Sequence, residues 1–74
     1  MRQEPDILLR FGETLRARRL AAGLSQEELA DRCGLDRTYI SGIERSRRNV
    51  SLRNLGLIAR TLGLTISQLL DGVT

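Results

Sequence analysis

The chain has 74 residues, 41% of them apolar, and a formal net charge of +3. This length predicts one small domain over residues 1–74, with residues 1–5 loose, and excludes a second domain or a buried cofactor cavity. One cysteine and no histidine exclude an internal disulfide and a zinc site of nitrogen and sulfur ligands within one chain. No apolar run approaches the roughly 18 residues of a membrane span, and no signal peptide is evident, so we expect a cytoplasmic protein without metal or cofactor.

Capping residues and glycines divide the chain into five predicted helices and no strand, because period-2 alternation never persists. Each helix follows a residue whose side chain can cap its N-terminus. These caps are Asp6, Ser25, Asp36, Ser51 and Thr65. The predicted helices cover residues 7–22, 26–33, 37–45, 52–62 and 66–71.

Apolar positions at helical spacing predict a small, mostly aliphatic core. The first helix contributes Leu8, Phe11, Leu15 and Ala22, with Leu20 on its flank, and the second contributes Leu29, Ala30 and Cys33. The remaining members are Ile40, Ile43, Leu52, Leu55, Ile58, Ala59, Leu62, Leu64, Leu69 and Leu70. A core of this size gives little net stability, so dimerisation would be physically useful.

The positive charge is concentrated in the second half of the chain. Residues 37–60 hold six arginines and one acid, a local charge of +5, whereas residues 1–36 and 61–74 each carry −1. Such a surplus is typical of a protein that binds a polyanion, although a solvated basic face without a partner has the same composition. All twelve cations are arginines, which can bind a phosphate or a guanine through two hydrogen bonds.

Only Gly34, Leu35 and Asp36 separate the second helix from the third, which is the spacing of a helix-turn-helix. Counting Gln26 as position one, apolar residues fall at positions 4, 8, 10, 15 and 18, and the small Ala30 falls at position 5, where the helices cross. Gly34 stands at position 9, where the backbone needs a positive φ. These features predict an all-α, five-helix compact bundle with a DNA-binding helix-turn-helix, the alternative being an ordinary helical hairpin.

The third helix has one face that the core does not need. At about 100° per residue, Ile40 and Ile43 define the direction of the core. The residues around the opposite direction are Thr38, Ser41, Gly42 and Arg45. This short, polar and cationic face fits a recognition helix in a DNA major groove, and Gly42 would permit close approach to another surface.

Arg37 is the first candidate for base recognition. It lies in the first turn, where its long side chain can reach past the helix end. Its guanidinium can bind a guanine through two hydrogen bonds, a contact that contributes roughly 1–3 kcal/mol of discrimination between bases. The alternative is that Arg37 serves only solubility. Thr38 and Ser41 can meet base edges or a thymine methyl group. Tyr39, on the flank, fits base-edge and phosphate contact equally well, and plain packing is the less favoured alternative. The side chains suited to phosphate contact are Gln26, Arg45, Arg47, Arg48 and Asn49.

The segment from Leu24 to Arg45, LSQEELADRCGLDRTYISGIER, resembles the Cro/repressor (Xre-like) helix-turn-helix family, and residues 52–70 fit that family's last two helices. More narrowly, LDRTYISGIER, followed by Arg48 and Asn49, resembles the controller proteins of restriction–modification systems. The resemblance implies a sequence-specific transcription regulator that binds a palindromic operator in double-stranded DNA as a homodimer. For a controller it also implies that one operator site recruits RNA polymerase and a second site blocks it.

The family also implies roles for individual residues. An ion pair between the first helix and the end of the third falls on Arg19 and Glu44, which helical spacing places beside the core stripes. By resemblance, Arg37, Thr38, Tyr39 and Ser41 face bases, while Gln26, Arg45, Arg48 and Asn49 serve the DNA backbone. Controllers dimerise through their last helices, where the apolar candidates are Leu57, Ile66, Leu70 and Val73. One departure is Val50, where relatives often carry proline.

Three other interpretations compete with a controller. A phage-type repressor or antitoxin-like regulator would use the same chemistry, and operator sequence and neighbouring genes would decide between them. A protein–protein adaptor could use the same fold without reading DNA, but the basic segment 37–60 argues against it. An enzyme is the least favoured class, because the chain has no histidine, Cys33 is predicted to lie in the core and no carboxylates pair at a pocket.

Overall fold

Each helix begins at a side-chain cap that the sequence provides. The computed structural model describes residues 6–73, and in it every predicted cap accepts a hydrogen bond from a backbone N–H in the first turn of its helix. The helices are α1 (Ile7–Ala21), α2 (Gln26–Cys33), α3 (Arg37–Glu44), α4 (Leu52–Thr61) and α5 (Ile66–Leu69). The described part of the chain contains no strand, and the predicted all-α, five-helix fold is confirmed.

The helix ends lie close to the predicted ones. The first, third and fourth helices each end one residue earlier than expected, and α5 ends at Leu69, with turns in place of its predicted last residues. The expectation that residues 1–5 are loose lies outside the described residues.

The turn between α2 and α3 depends on Gly34. This residue ends α2 in the left-handed conformation, with φ of 73°, which an L side chain rarely adopts. The N–H of Leu35 then returns to the carbonyl oxygen of Ala30 at 2.9 Å, and the Leu35 side chain packs against the core. The three-residue turn therefore fixes the direction in which α3 leaves α2.

The core joins all five helices. Its fully buried side chains include Leu15, Leu29, Ile40, Ile43, Ile58 and Leu69. α1 packs on α3 and α5, α2 packs on α3 and α4, and α4 packs on α5. Because α1 and α2 both hold its inner side, α3 is fixed in place with its other side directed away from the bundle.

Some predicted core residues lie on the surface instead. Leu20, Leu52 and Leu70 are 54%, 74% and 36% exposed, and Ala22 is exposed as well. Leu52 opens α4 and Ala22 follows the last residue of α1, so both lie at helix ends where neighbouring helices no longer cover the apolar stripe. Conversely, Leu24 is only 8% exposed, although it lies between two helices where helical periodicity does not apply.

Candidate nucleic-acid interface

The two faces of α3 are sharply different. Ile40 and Ile43 are 0% and 1% exposed and belong to the core, whereas Thr38 and Arg45 are exposed and Ser41 is partly exposed. Arg37, in the first turn, is exposed as well. The structure thus has a polar, cationic helix face open to solvent in the direction that the spacing predicts.

The cap of α3 also orients Thr38. One carboxylate oxygen of Asp36 accepts hydrogen bonds from the backbone N–H and from the hydroxyl of Thr38, both at 2.9 Å. These bonds lower the pKa of Asp36 below its ordinary value and keep it ionised. Because the hydroxyl proton is committed to Asp36, Thr38 presents to solvent a methyl group and an oxygen that can accept a hydrogen bond.

Tyr39 is held against α4 and the loop that follows α3. Its ring is partly buried, and its hydroxyl oxygen accepts a hydrogen bond from Nδ2 of Asn54 at 3.1 Å. The hydroxyl in turn donates to the carbonyl oxygen of Asn49 at a longer 3.4 Å. Tyr39 is therefore oriented by two other parts of the chain. Nothing in the sequence pattern singles out Asn54, because only the fold brings it near Tyr39.

Arg48 lies across the exposed side of α3. Its guanidinium carbon is 5.3 Å from the centroid of the Tyr39 ring, a cation–π arrangement. Its side-chain stem covers Gly42, where an added Cβ would collide with Cγ of Arg48. The expectation that Gly42 allows another molecule to approach closely is therefore wrong, because the chain's own arginine occupies that space.

The loop after α3 positions its cations through an unusual residue. Ser46 adopts a left-handed conformation with φ of 63°, and the N–H of Arg47 bonds to the carbonyl oxygen of Gly42 at 2.8 Å. This pattern closes the helix C-terminus in the way that a glycine usually does. It turns the chain so that Arg47, Arg48 and Asn49, all exposed, follow directly beside the open face of α3.

Arg19 and Glu44 form a buried, two-pronged ion pair that connects α1 to the end of α3. Nε of Arg19 lies 2.7 Å from Oε2 of Glu44, Nη2 lies 2.9 Å from Oε1, and the two side chains are 8% and 3% exposed. The hydrogen bonds to Glu44 raise the pKa of Arg19. Nη1 of Arg19 also donates to the carbonyl oxygen of Leu24 at 2.8 Å, so the ion pair is tied to the segment between α1 and α2 as well.

Gln26, the first residue of α2, joins the same ion pair. Its Nε2 donates to Oε1 of Glu44 at 3.0 Å, so one of its two amide hydrogens is committed inside the protein. The side chain remains partly exposed beside Arg37 in a concave surface at the start of α2. One amide hydrogen and the first backbone N–H groups of α2 remain for an anion.

The predicted dimer residues fall into two groups. Leu57 and Ile66 are partly exposed, Leu70 is 36% exposed, and all three lie on or next to α4 and α5. Val73 is only 2% exposed, because the turns after α5 fold it into the core. Its assignment to the dimer interface is therefore corrected to a core role.

Among residues 6–73, no helix combines the length and apolar character needed to cross a membrane. Within the same range, no three residues drawn from His, Cys, Asp and Glu come together as a metal-binding group.

A helix-turn-helix whose second helix presents a polar, cationic face to solvent defines the class of DNA-binding proteins that insert a recognition helix into the major groove. Residues 15–69 match the helix-turn-helix family HTH_3. The control protein C.BamHI of Bacillus amyloliquefaciens is 50% identical over 70 residues, which cover 93% of this chain and 86% of that protein. A hypothetical transcription factor of Neisseria meningitidis is 46% identical over 67 residues, and the match spans 90% of this chain but only 63% of that longer protein.

Among solved structures, this chain is also similar to restriction-modification controller proteins. The restriction-modification controller protein C.AhdI from Aeromonas hydrophila has a TM-score of 0.82 and 50% identity, covering 84% of this chain and 94% of that one. The controller protein C.Esp1396I, as a tetramer in complex with its natural 35 base-pair operator, has a TM-score of 0.83 and 37% identity. The match covers 95% of this chain and 92% of that one. The chain belongs to the helix-turn-helix family and, within it, to the restriction–modification controller proteins, which are DNA-binding transcription regulators.

Proposed function

We propose that this controller reads a palindromic operator as a homodimer, with α3 of each protomer in the DNA major groove. The observation that carries the proposal is the open face of α3, polar and cationic, on a helix whose other face is fully buried. Two such helices about 34 Å apart would meet successive major grooves on one side of the duplex. The related C.Esp1396I, a tetramer in complex with its natural 35 base-pair operator, supports operator binding by an assembly of such chains.

Within each half-site, Arg37 binds a guanine through its guanidinium, and Ser41 meets base edges farther along the groove. Thr38 can accept a hydrogen bond from the amino group of cytosine or adenine, because its own proton is held by Asp36. Its methyl group can also contact the methyl group of thymine. Operator sequence is thus read chiefly by Arg37, Thr38 and Ser41, while the exposed Arg45, at the far end of this face, is left for a phosphate.

The DNA backbone is held from both ends of the helix-turn-helix. At the start of α2, the remaining amide hydrogen of Gln26 and the free backbone N–H groups bind one phosphate. Beyond the end of α3, the exposed residues that bind flanking phosphates are Arg45, Arg47, Arg48 and Asn49. These contacts set register and affinity, whereas the base contacts set specificity.

Duplex binding across a range of salt concentrations tests the proposal. Neutralising about six phosphates per complex predicts a slope near −5 for the logarithm of the binding constant against the logarithm of salt concentration. A scrambled duplex of the same length and composition serves as the control and should bind more weakly with a comparable slope. Binding that does not respond to salt, or no binding at all, would favour a protein–protein adaptor instead.

The homodimer forms through α4 and α5, using the partly exposed apolar surface of Leu57, Ile66 and Leu70. A charge at Leu70 should therefore separate the protomers. We expect Leu70→Asp to sediment as a monomer with a retained helical circular dichroism spectrum. Leu20→Asp is the matched control, because Leu20 is even more exposed but lies at the end of α1. A Leu70→Asp protein that remains dimeric would contradict this assignment.

As a controller, the DNA-bound dimer contacts RNA polymerase at one operator site and excludes it at another, and acts in the cytoplasm, where operator DNA is accessible. In vitro transcription across increasing protein concentration should therefore rise and then fall. The protein acts by binding and not as an enzyme. Supporting this, Cys33 is buried and donates to the hydroxyl of Thr61 at 3.4 Å, and burial raises the pKa of its thiol, which makes it a poor nucleophile.

A further inference from the structure

We infer that Asn54, on α4, is a positioning residue that holds Tyr39 as a hydrogen-bond donor to a DNA phosphate. The inference rests on the proposed function, since it requires α3 to lie against DNA. Its basis is the contact between Nδ2 of Asn54 and the hydroxyl oxygen of Tyr39, at 3.1 Å. This contact joins the recognition helix to an element outside the helix-turn-helix.

The direction of this hydrogen bond decides what the phenol can do. A tyrosine hydroxyl has one proton to donate and two lone pairs to accept with. Asn54 fills one lone pair, so the proton must point elsewhere. In the free protein it points to the carbonyl oxygen of Asn49 at 3.4 Å, which is at the long limit of a hydrogen bond. A phosphate oxygen, being charged, is a stronger acceptor and can take that proton over.

The surroundings favour a phosphate as the acceptor over a base. Tyr39 lies on the flank of α3, partly buried, and its ring lies below the guanidinium of Arg48. The exposed Arg47 and Asn49 belong to the same basic loop. A DNA strand that passes this loop would bring a phosphate near several cations and the phenol at once.

Asn54 is itself held firmly. Its backbone N–H is capped by the hydroxyl of Ser51 at 3.1 Å, and the following residue, Leu55, is buried in the core. The carboxamide therefore starts from a fixed point on α4. Losing it should free the Tyr39 ring without removing any charge from the DNA-binding surface.

A double-mutant cycle between Asn54→Ala and Tyr39→Phe tests the inference. The affinities for an operator duplex and for an unrelated duplex are measured by the fluorescence anisotropy of labelled DNA. We expect Asn54→Ala to weaken binding of both duplexes by about 3- to 10-fold, the size of one hydrogen bond. In the Tyr39→Phe background, the same substitution should cost less than roughly two-fold, because the donor it positions is gone.

A spectroscopic measurement separates positioning from general stability. Tyr39 is the only tyrosine in the chain, which has no tryptophan, so intrinsic tyrosine fluorescence reports on this ring alone. Asn54→Ala should give a faster decay of tyrosine anisotropy in the free protein. Thr65→Ala is the matched control, because it removes the cap of another helix, α5, and keeps both Asn54 and the Ser51 hydroxyl that holds it. The effect of this control on DNA-binding affinity should simply add to the effect of Tyr39→Phe.

Additive effects of Asn54→Ala and Tyr39→Phe, or an unchanged anisotropy decay, would overturn the inference. A loss of affinity for the operator alone would also overturn it, since that result means a base contact. These outcomes are distinct from failure of the proposed function. If the proposed function itself were wrong, the unmodified protein would not bind duplex DNA in a salt-dependent way, and Arg37→Ala would leave DNA binding unchanged.

Discussion

Gly12 of α1 lies directly against the main chain at the end of α3, where a Cβ added to it would be 2.6 Å from the carbonyl oxygen of Ile43. The carbonyl oxygen of Glu44 would be 3.0 Å away. Only a residue without a side chain allows this approach. The close contact brings α1 near enough for Arg19 to reach the carboxylate of Glu44 and so helps to fix the recognition helix.

Gly12→Ala should destabilise the protein although alanine is the better helix former. The new methyl group meets backbone oxygens that cannot move aside, and overpacking of this kind costs about 1–3 kcal/mol in the free energy of unfolding. Gly56→Ala is the control, because the nearest atom that its Cβ would meet among residues 6–73 is Cδ1 of Ile66 at 3.9 Å, an ordinary contact. Urea unfolding should show Gly56→Ala to be neutral or stabilising, and equal effects of the two substitutions would refute this account.

Glu44→Ala should destabilise the fold without changing which operator is preferred. Removing the carboxylate leaves the buried guanidinium of Arg19 without its partner, which costs about 3–5 kcal/mol in comparable buried pairs. Arg18→Ala is the control, since Arg18 is exposed and its hydrogen bond to the carbonyl oxygen of Gln68 is a long one, at 3.4 Å. Thermal unfolding measures both, and an unchanged Tm for Glu44→Ala would mean that the pair contributes little.

Arg37→Ala and Arg48→Ala should affect DNA binding in different ways. Loss of Arg37 should relax base preference at one position in each half-site, by about 1–3 kcal/mol of discrimination. Loss of Arg48 should weaken binding to all sequences about equally and make the salt slope shallower by about one. Selection of binding sites from random oligonucleotides, combined with salt titration, checks both. The division between base-reading and backbone-binding residues fails if the two variants behave alike.

Stability should fall in acid through two helix caps. Hydrogen bonds from Thr38 lower the pKa of Asp36, and hydrogen bonds from Ser25 lower the pKa of Glu28, relative to the unfolded chain. The unfolded state therefore binds more protons in acid. The stability that the two ionised carboxylates contribute is fully present above about pH 5. It is lost as the pH falls below about 4 and passes through the lowered pKa values of the folded state.

The urea midpoint measured between about pH 3 and pH 7 should follow this course. In Asp36→Asn, the amide oxygen can still cap α3, but the side chain no longer has a group that titrates. The urea midpoint should therefore fall less in acid than it does in the unmodified protein. An Asp36→Asn protein with the same pH dependence as the unmodified chain would exclude Asp36 as a contributor.

The fold could be predicted because its signals are local. Asp36 and Ser25 cap the helices that follow them, and Gly34 has the positive φ that its place in the turn requires. The direction of the open α3 face also followed from sequence, since helical geometry fixes it once Ile40 and Ile43 are assigned to the core.

What could not be predicted depends on contacts between distant residues. The position of Arg48 over Gly42 follows from the left-handed Ser46, and a serine carries no sequence signal for that conformation. The contact of Asn54 with Tyr39 requires α4 to be placed in three dimensions. Val73 is in the core because of turns after α5, where helical periodicity cannot apply.

The eight residues of α3 place the core contacts and the proposed base contacts on opposite faces of one short helix. Substitutions at Thr38 or Ser41 leave Ile40 and Ile43 undisturbed, so the outer side can diverge without unfolding the protein. Descendants of one ancestral gene could in this way acquire separate target sites within a few mutational steps. Several such regulators could then coexist in a single cell without interfering with each other's promoters.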